Sequence, residues 1–315
     1  MRKLRRHVPV ALALTFLLPT ACLSSSCGVL KGLLLKPRPP LTHRGKTVNS
    51  QQPLLPATLE ELIQRIAKTY SAINSFQASV TMTPSVGSVA KGQISDVAAD
   101  FRAFILFRKP DNIRIKALTP LVGTPLFDMV SDGTNFRFLM NSKNQFFEGA
   151  NSAPATSKNK YENLRPAVFL SSMLIMPPDS ETETPVITNL TDEESAFYVI
   201  HFIRKLPRGD LRVAREVYFD RLDLTITRQI VFDDAGDIVS DTNYAKWMPY
   251  GGVLFPSHIE IQRPKDEYGV VMDIVQMEMN KALTDAMFVL TPPEGAQIQV
   301  IGAAPPAGQK KPEPK

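Results

Sequence analysis

The feature that most constrains this chain is a series of short runs in which apolar and polar residues alternate, separated by turns too short to hold a helix. Phe76, Ala78, Val80 and Met82 alternate with polar neighbours, as a strand with one buried face requires. Further strand-like runs lie near 101–108, 112–118, 125–131, 134–140 and 144–148. After an interruption they resume near 196–204, 212–220, 225–233, 237–247, 254–263 and 269–280. Asp132-Gly133 and Asp234-Ala235-Gly236 mark tight hairpins between neighbouring runs. Parallel strands need crossovers of a dozen or more residues, so this spacing predicts an antiparallel meander. Some dozen strands in that arrangement predict a mainly β fold with few helices, built as a strongly curved sheet or incomplete barrel.

Two helices punctuate the pattern. Thr58 and Glu61 have the spacing of a capping box, in which each side chain satisfies a backbone donor at the helix start. Leu59, Leu62, Ile63, Ile66, Tyr70 and Ile73 then share one helical face, which predicts an N-terminal amphipathic helix with one buried side. The interruption at 149–195 opens with a polar stretch, Gly149 to Lys160. It continues as Pro166-Ala-Val-Phe-Leu-Ser-Ser-Met-Leu-Ile-Met176, apolar on nearly every side and stopped by Pro177-Pro178. Such a segment must be covered on most faces. It plugs the mouth of the curved sheet, or it is ordinary core; periodicity leaves both readings open.

The ends have a different character. Arg2, Lys3, Arg5 and Arg6 precede the apolar run Val8 to Leu18, which is too short for a transmembrane helix and suits a signal peptide. Cys22 and Cys27 are the only cysteines, so no disulfide framework is expected. Their position, just beyond the apolar core and after small residues, matches a lipobox. Leu23-Ser24-Ser25-Ser26-Cys27 fits better than Leu18-Pro19-Thr20-Ala21-Cys22, where a proline intrudes. Cys27 is therefore the expected lipidation site, with Cys22 as the alternative. The domain reading is a lipoprotein signal peptide over 1–26, a Pro-rich basic tether over 27–56, a half-barrel domain over 57–302 and a disordered Pro/Lys tail over 303–315.

Charge bears on partners. The pI of 9.1 owes much to the basic leader, tether and tail. The body between them is acidic on balance, which argues against nucleic-acid binding. A basic tether favours an anionic lipid surface and serves equally as a solvated linker. His201 and His258 lie on strand-like runs without the spacing of a zinc site. The carboxylates Asp233, Asp234 and Asp237 crowd a hairpin, where aspartate suits turn geometry. The chain has no G-x-S-x-G elbow, P-loop or G-x-G-x-x-G. No metal, no cofactor and no enzymatic activity are expected. Bulky apolar residues abound instead: Phe104, Leu106, Phe136, Phe138, Phe146, Phe147, Tyr198, Ile200 and Phe202. They read as plain core or as the lining of a concave apolar pocket.

Several stretches, in order, resemble one family. Phe107-Arg108-Lys109-Pro110-Asp111, Val130-Ser131-Asp132-Gly133, Arg215-Glu-Val-Tyr-Phe-Asp220, Phe232-Asp233-Asp-Ala-Gly236 and Phe288-Val-Leu-Thr-Pro292-Pro293-Glu-Gly295 are similar to the outer-membrane lipoprotein carrier and receptor family, LolA/LolB-like. The resemblance covers roughly residues 58–301. It implies an incomplete antiparallel barrel with a helical lid over an apolar cavity that holds lipoprotein acyl chains. Ligand contacts would come from Phe104, Leu106, Phe136, Phe138, Tyr198, Ile200 and Phe202. Val168, Phe169, Met173, Leu174 and Met176 would form the lid. Lys109 stands where the carrier has an arginine that fastens it, and a lysine lacks that planar fork. Leu118-Thr-Pro120-Leu121-Val122-Gly123-Thr124 resembles the receptor's apolar loop, placing Leu121 and Val122 against a membrane; the residues alone describe a hairpin turn.

The expected function is therefore that of a protein held by its lipid anchor at the periplasmic face of the outer membrane. There it would bind lipoprotein acyl chains or similar lipids for sorting or insertion, with a periplasmic carrier protein as a partner. The alternative is an interaction or sensor module of the same fold, its pocket filled by its own side chains and its ligand another protein.

Overall fold

Thr58 opens the folded part as the capping box predicts. In the computed structural model its backbone N–H donates to the Glu61 carboxylate at 2.8 Å, and Glu61 N–H donates back to the Thr58 hydroxyl at 3.3 Å. The helix that follows, α1 (Leu59–Ala72), buries Leu62 and Ile66 from its apolar face. The structure describes residues 53–87, 96–97, 99–120, 122–152, 165–192 and 195–301. The signal segment with Cys22 and Cys27, the tether as far as 52, Leu121 and the tail from 303 lie outside the described residues. The end of the expected tether already touches the domain, since the Leu55 amide donates to the Arg221 carbonyl at 2.7 Å.

The strands form two successive groups separated by a helix. The first comprises β1 (Ser75–Val86), β2 (Asp96–Val97), β3 (Phe101–Arg108), β4 (Asn112–Leu118), β5 (Pro125–Ser131), β6 (Asn135–Met140) and β7 (Gln145–Ala150). After α2 (Pro166–Met173) come β8 (Glu183–Thr191), β9 (Ala196–Lys205), β10 (Leu211–Asp220), β11 (Ile226–Phe232), β12 (Ile238–Tyr250), β13 (Val253–Arg263) and β14 (Tyr268–Met279). The chain then runs through a 3-10 turn (Asp285–Phe288) to β15 (Gln297–Ile301). One sheet holds them in the order β15-β7-β6-β5-β4-β3-β1-β14-β13-β12-β11-β10-β9-β8, with β2 paired to β1 off this path. The order has two ends, so the barrel is incomplete.

Pairing is antiparallel with one exception. β15 runs parallel to β7, from Gln297 opposite Gln145 to Ile301 opposite Gly149. The long connection after β14 removes the constraint that a short turn imposes on direction. The two groups meet where β1 pairs with β14, from Phe76 opposite Met279 to Val86 opposite Tyr268.

The main core lies on the concave face. β1, β3, β6 and β9 send Phe76, Ile105, Phe107, Phe136, Phe138, Ile200 and Phe202 into it, and α1 and α2 cover it with Leu62, Ile66, Phe169 and Met173. A second, small core sits outside, where Val130, Leu139 and Phe146 meet Leu290 and Phe288 of the segment after β14. Arginines on the convex face of the first group tie that segment down. Arg108 donates to the Leu283 carbonyl at 3.0 Å and pairs with Asp285. Arg114, itself bidentate to Asp128, donates to the carbonyls of Met287 and Val289.

Candidate functional site: a concave sheet plugged by a short helix

The sequence places bulky residues on both faces of several strands, and registry decides which face each serves. In β3, Ile105 pairs with Ala78 and Phe107 with Phe76, and all four are buried. Phe104 and Leu106 pair with the polar Ser79 and Gln77 on the opposite face. Phe104 is 38 % exposed. These two residues therefore do not line the interior, and the expectation that they contact a ligand there is corrected. Phe136, Phe138, Tyr198, Ile200 and Phe202 do point into the concavity. They are packed side by side, with the rings of Phe138 and Phe147 stacked 5.7 Å apart.

The concavity is occupied by the protein itself. α2 starts at Pro166, whose missing N–H costs nothing at a first helical position, and inserts Phe169, Met173 and Leu174 into the core. A void of about 40 Å³ remains between α1 and α2, bounded by Ile66, Tyr70, Met173, Ile175, Tyr244 and Trp247. That is room for a water molecule or two, not an acyl chain. A wider cleft of about 520 Å³ at the ends of β5–β7 is lined by Asp132, Asn135, Arg137 and Glu148 alongside Val130, Phe136, Phe288 and Val300.

Among the described residues, the polar contacts shown by α2 and the residues after it converge on backbone carbonyls near its C-terminal end. The Tyr244 hydroxyl donates to the Ser172 carbonyl at 2.8 Å, and the Gln229 amide donates to Ser171 at 3.3 Å. Arg215 donates to the Met176 carbonyl at 2.7 Å while forming a two-pronged ion pair with Glu183. Its guanidinium lies 3.9 Å from the centre of the Phe202 ring. At a helix C-terminus such carbonyls lack intrahelical partners, so each of these donors replaces water. Burial raises the Tyr244 phenol far above its ordinary pKa, which keeps it a neutral donor. At the other end Arg165 caps no amide but rests 4.4 Å from the Phe136 ring centre, its pKa lowered by burial.

Three expectations about the lid change. Lys109 does not fasten α2. Its Nζ donates to the Tyr70 carbonyl at 2.6 Å and sits 4.0 Å over the Tyr70 ring, so it anchors the end of α1, with its pKa lowered by desolvation. Met176 is not part of the buried face, because α2 ends at Met173 and the Met176 side chain is 52 % exposed. Val168 is half-buried. On either side of Leu121, Thr119 and Thr124 bond to each other and Gly123 takes φ +66°, with Val122 exposed.

Tyr244 and Gln229 were not singled out from sequence, and Arg215 stood out only as the start of a family-like stretch. A bulge between Val213 and Arg215 shifts the β9–β10 register and sets Arg215 opposite Phe202, on the concave side. Bulges re-aim side chains in this way, and simple alternation does not reveal one.

Among the described residues no group of three or more histidine, cysteine, aspartate or glutamate side chains is arranged to hold a metal ion. No described helix is long and apolar enough to cross a membrane.

No family model and no curated protein matches the sequence. Among solved structures, the chain is similar to a LolA superfamily protein from Nitrosomonas europaea, with 13 % identity over 75 % of this chain and 99 % of that one and a TM-score of 0.48. A DUF1329 family protein from Desulfovibrio piger is 12 % identical over 72 % and 94 % of the two chains, with a TM-score of 0.46. An outer-membrane lipoprotein-sorting protein domain from Vibrio parahaemolyticus is 11 % identical over the same shares, with a TM-score of 0.46.

Proposed function

We propose that this protein takes up acyl chains, of lipoproteins or related lipids, in the concave face of its sheet when α2 withdraws. The observation that carries the reading is the plug. A helix apolar on nearly every side fills the concavity, and among the described residues side-chain donors of the sheet reach carbonyls at and just beyond its C-terminal end. Acyl chains could replace Phe169, Met173 and Leu174 against the same wall of Phe138, Ile200 and Phe202. Each buried methylene contributes about 0.8 kcal/mol, so no catalytic group is needed for tight and reversible capture. Lipid on Cys27, or on Cys22, would hold the protein at a membrane surface, with the basic residues of 28–50 beside it.

The test is titration of the full-length protein with a fluorescent fatty acid, followed by displacement with a diacylated lipopeptide. Saturable binding that the lipopeptide reverses supports the reading, and the absence of saturable binding defeats it. Anchoring is tested separately: a Cys22→Ser, Cys27→Ser variant should leave the membrane fraction.

A second reading has an observation of its own. The helix α2 already packs Phe169, Met173 and Leu174 into the concave core, beside a void of about 40 Å³. A module of this kind that binds a protein partner has no need of a cavity. Failure of the fatty-acid titration would favour it.

A further inference from the structure

One long edge of the sheet carries few of the devices that discourage strand addition: no bulge, a single proline at Pro185 and no charge beyond Glu183. β8 ends the strand order, and no described strand pairs with its outer side. Natural edges are guarded by charge, bulges or short length. Thr184 to Thr191 holds no charged residue, and β8 pairs with β9 over nine residues without a register shift. Val186 and Leu190 are 47 % and 48 % exposed on its convex side. Thr188 lies between them on that side, its hydroxyl 3.1 Å from His201 Nε2.

The backbone of β8 faces the open edge at known positions. The Arg221 amide donates to the Ala196 carbonyl at 3.0 Å, so Ala196 turns its polar groups away from β8. Its opposite, Thr191, therefore turns its own N–H and C=O outward, and Asn189, Ile187 and the Pro185 carbonyl follow at every second residue. Pro185 has no N–H to leave unsatisfied there, as suits an edge strand.

We infer that β8 is a self-association edge, pairing antiparallel with β8 of a second copy about a two-fold axis through Thr188. In that register Val186 covers Leu190 of the other copy, and each apolar residue loses its exposure. Ile187 and Asn189 exchange both backbone bonds, and the Thr191 N–H meets the Pro185 carbonyl, where the missing N–H closes the ladder. The uncharged stretch meets its own image without repulsion. Such a two-fold interface is self-complementary by construction. A single strand pair buries less than standard interfaces do, so the dimer is weak and concentration-dependent.

The register makes a sharp test. Residues at a two-fold axis in a non-hydrogen-bonded pair have Cα atoms about 4.5 Å apart, within reach of a disulfide. The full-length chain carrying Thr188→Cys is oxidised in the membranes of the expressing cell and run on a non-reducing gel. The parent chain sets the background from Cys22 and Cys27. Thr188→Cys should give at least about ten times more dimer than the parent or Thr184→Cys, whose opposite residue in this register is Asp192. Chains with Val186→Cys and Leu190→Cys should cross-link when expressed together and not singly. Adding Asn189→Pro, which removes an N–H unused within one copy along with side-chain bonds to Thr191 and Arg221, should abolish the Thr188→Cys dimer while the variant still melts cooperatively. Equal cross-linking of Thr188→Cys and Thr184→Cys, or a Thr188→Cys adduct with a different protein only, would overturn the inference.

Discussion

Replacing Tyr244 with phenylalanine removes one oxygen and leaves the packing of the ring beside Trp247 intact. In the plugged conformation the lost hydroxyl strands the Ser172 carbonyl, which Tyr244 reaches at 2.8 Å from a fully buried position. A buried acceptor left without a donor costs about 1–3 kcal/mol. In the open conformation the same carbonyl reaches water and nothing is lost. The change therefore disfavours the plugged state alone. If acyl chains enter only the open state, apparent affinity scales with the open fraction, and the fluorescent fatty acid should bind about 5- to 150-fold more tightly. The gain ends once the open state dominates. Tyr218→Phe is the control, since its hydroxyl bonds Glu216 on the convex face; it should leave affinity unchanged. A Tyr244→Phe protein that melts cooperatively and binds no more tightly than wild type would refute the claim that the plug gates entry.

Other outcomes follow from the same geometry. Arg215→Met leaves Glu183 largely buried without its partner and frees the Met176 carbonyl, so urea denaturation should show a loss of about 2–4 kcal/mol, partly restored by adding Glu183→Gln. Ile105→Asp should abolish folding, because a carboxylate there meets only apolar core, whereas Phe104→Asp next to it should cost less than about 1 kcal/mol by the same denaturation assay. His258 is held above its usual pKa by hydrogen bonds to Glu260 and Asp273. The stability this pairing contributes is complete below the unfolded value near 6.5 and is lost as pH rises through the higher folded value. The urea midpoint should accordingly fall from about pH 6 toward pH 8.5, and His258→Gln should flatten that part of the profile.

Most of the strand boundaries were legible because hairpin turns and alternation act locally. The predicted runs 101–108, 112–118 and 125–131 coincide with β3, β4 and β5, and the capping box marked the start of α1. β8 escaped notice because an edge strand exposed on its convex face has no strict alternation to display. β15 escaped because its parallel partner lies about 150 residues earlier in the chain. Facing was harder than location. In Phe101-Arg-Ala-Phe-Ile-Leu-Phe107 both alternating sets contain large apolar residues, and only the partner strand separates them, with Ser79 and Gln77 marking the outer side. Aromatic bulk pointed to Phe104, and registry points to Ile105. The fastening of α2 was illegible for a different reason: Tyr244 meets Ser172 across 72 residues, and a bulge re-aims Arg215.

The seam between β1 and β14 also sets the order of events when the protein is made. Strands β2 to β13 are all synthesised between these two, so the middle of the sheet finds its partner late, with only β15 still to come. A chain emerging from its N-terminus presents β1 with a free edge until about 200 residues later, when Met279 arrives opposite Phe76. Contacts of such long sequence separation slow folding and lengthen the exposure of unpaired strands. The two meanders can each zip locally, but they join only after β14 has appeared. A truncation before residue 268 should therefore leave two half-sheets with exposed edges rather than a smaller version of the same domain, and β1 must be shielded for most of the chain's synthesis.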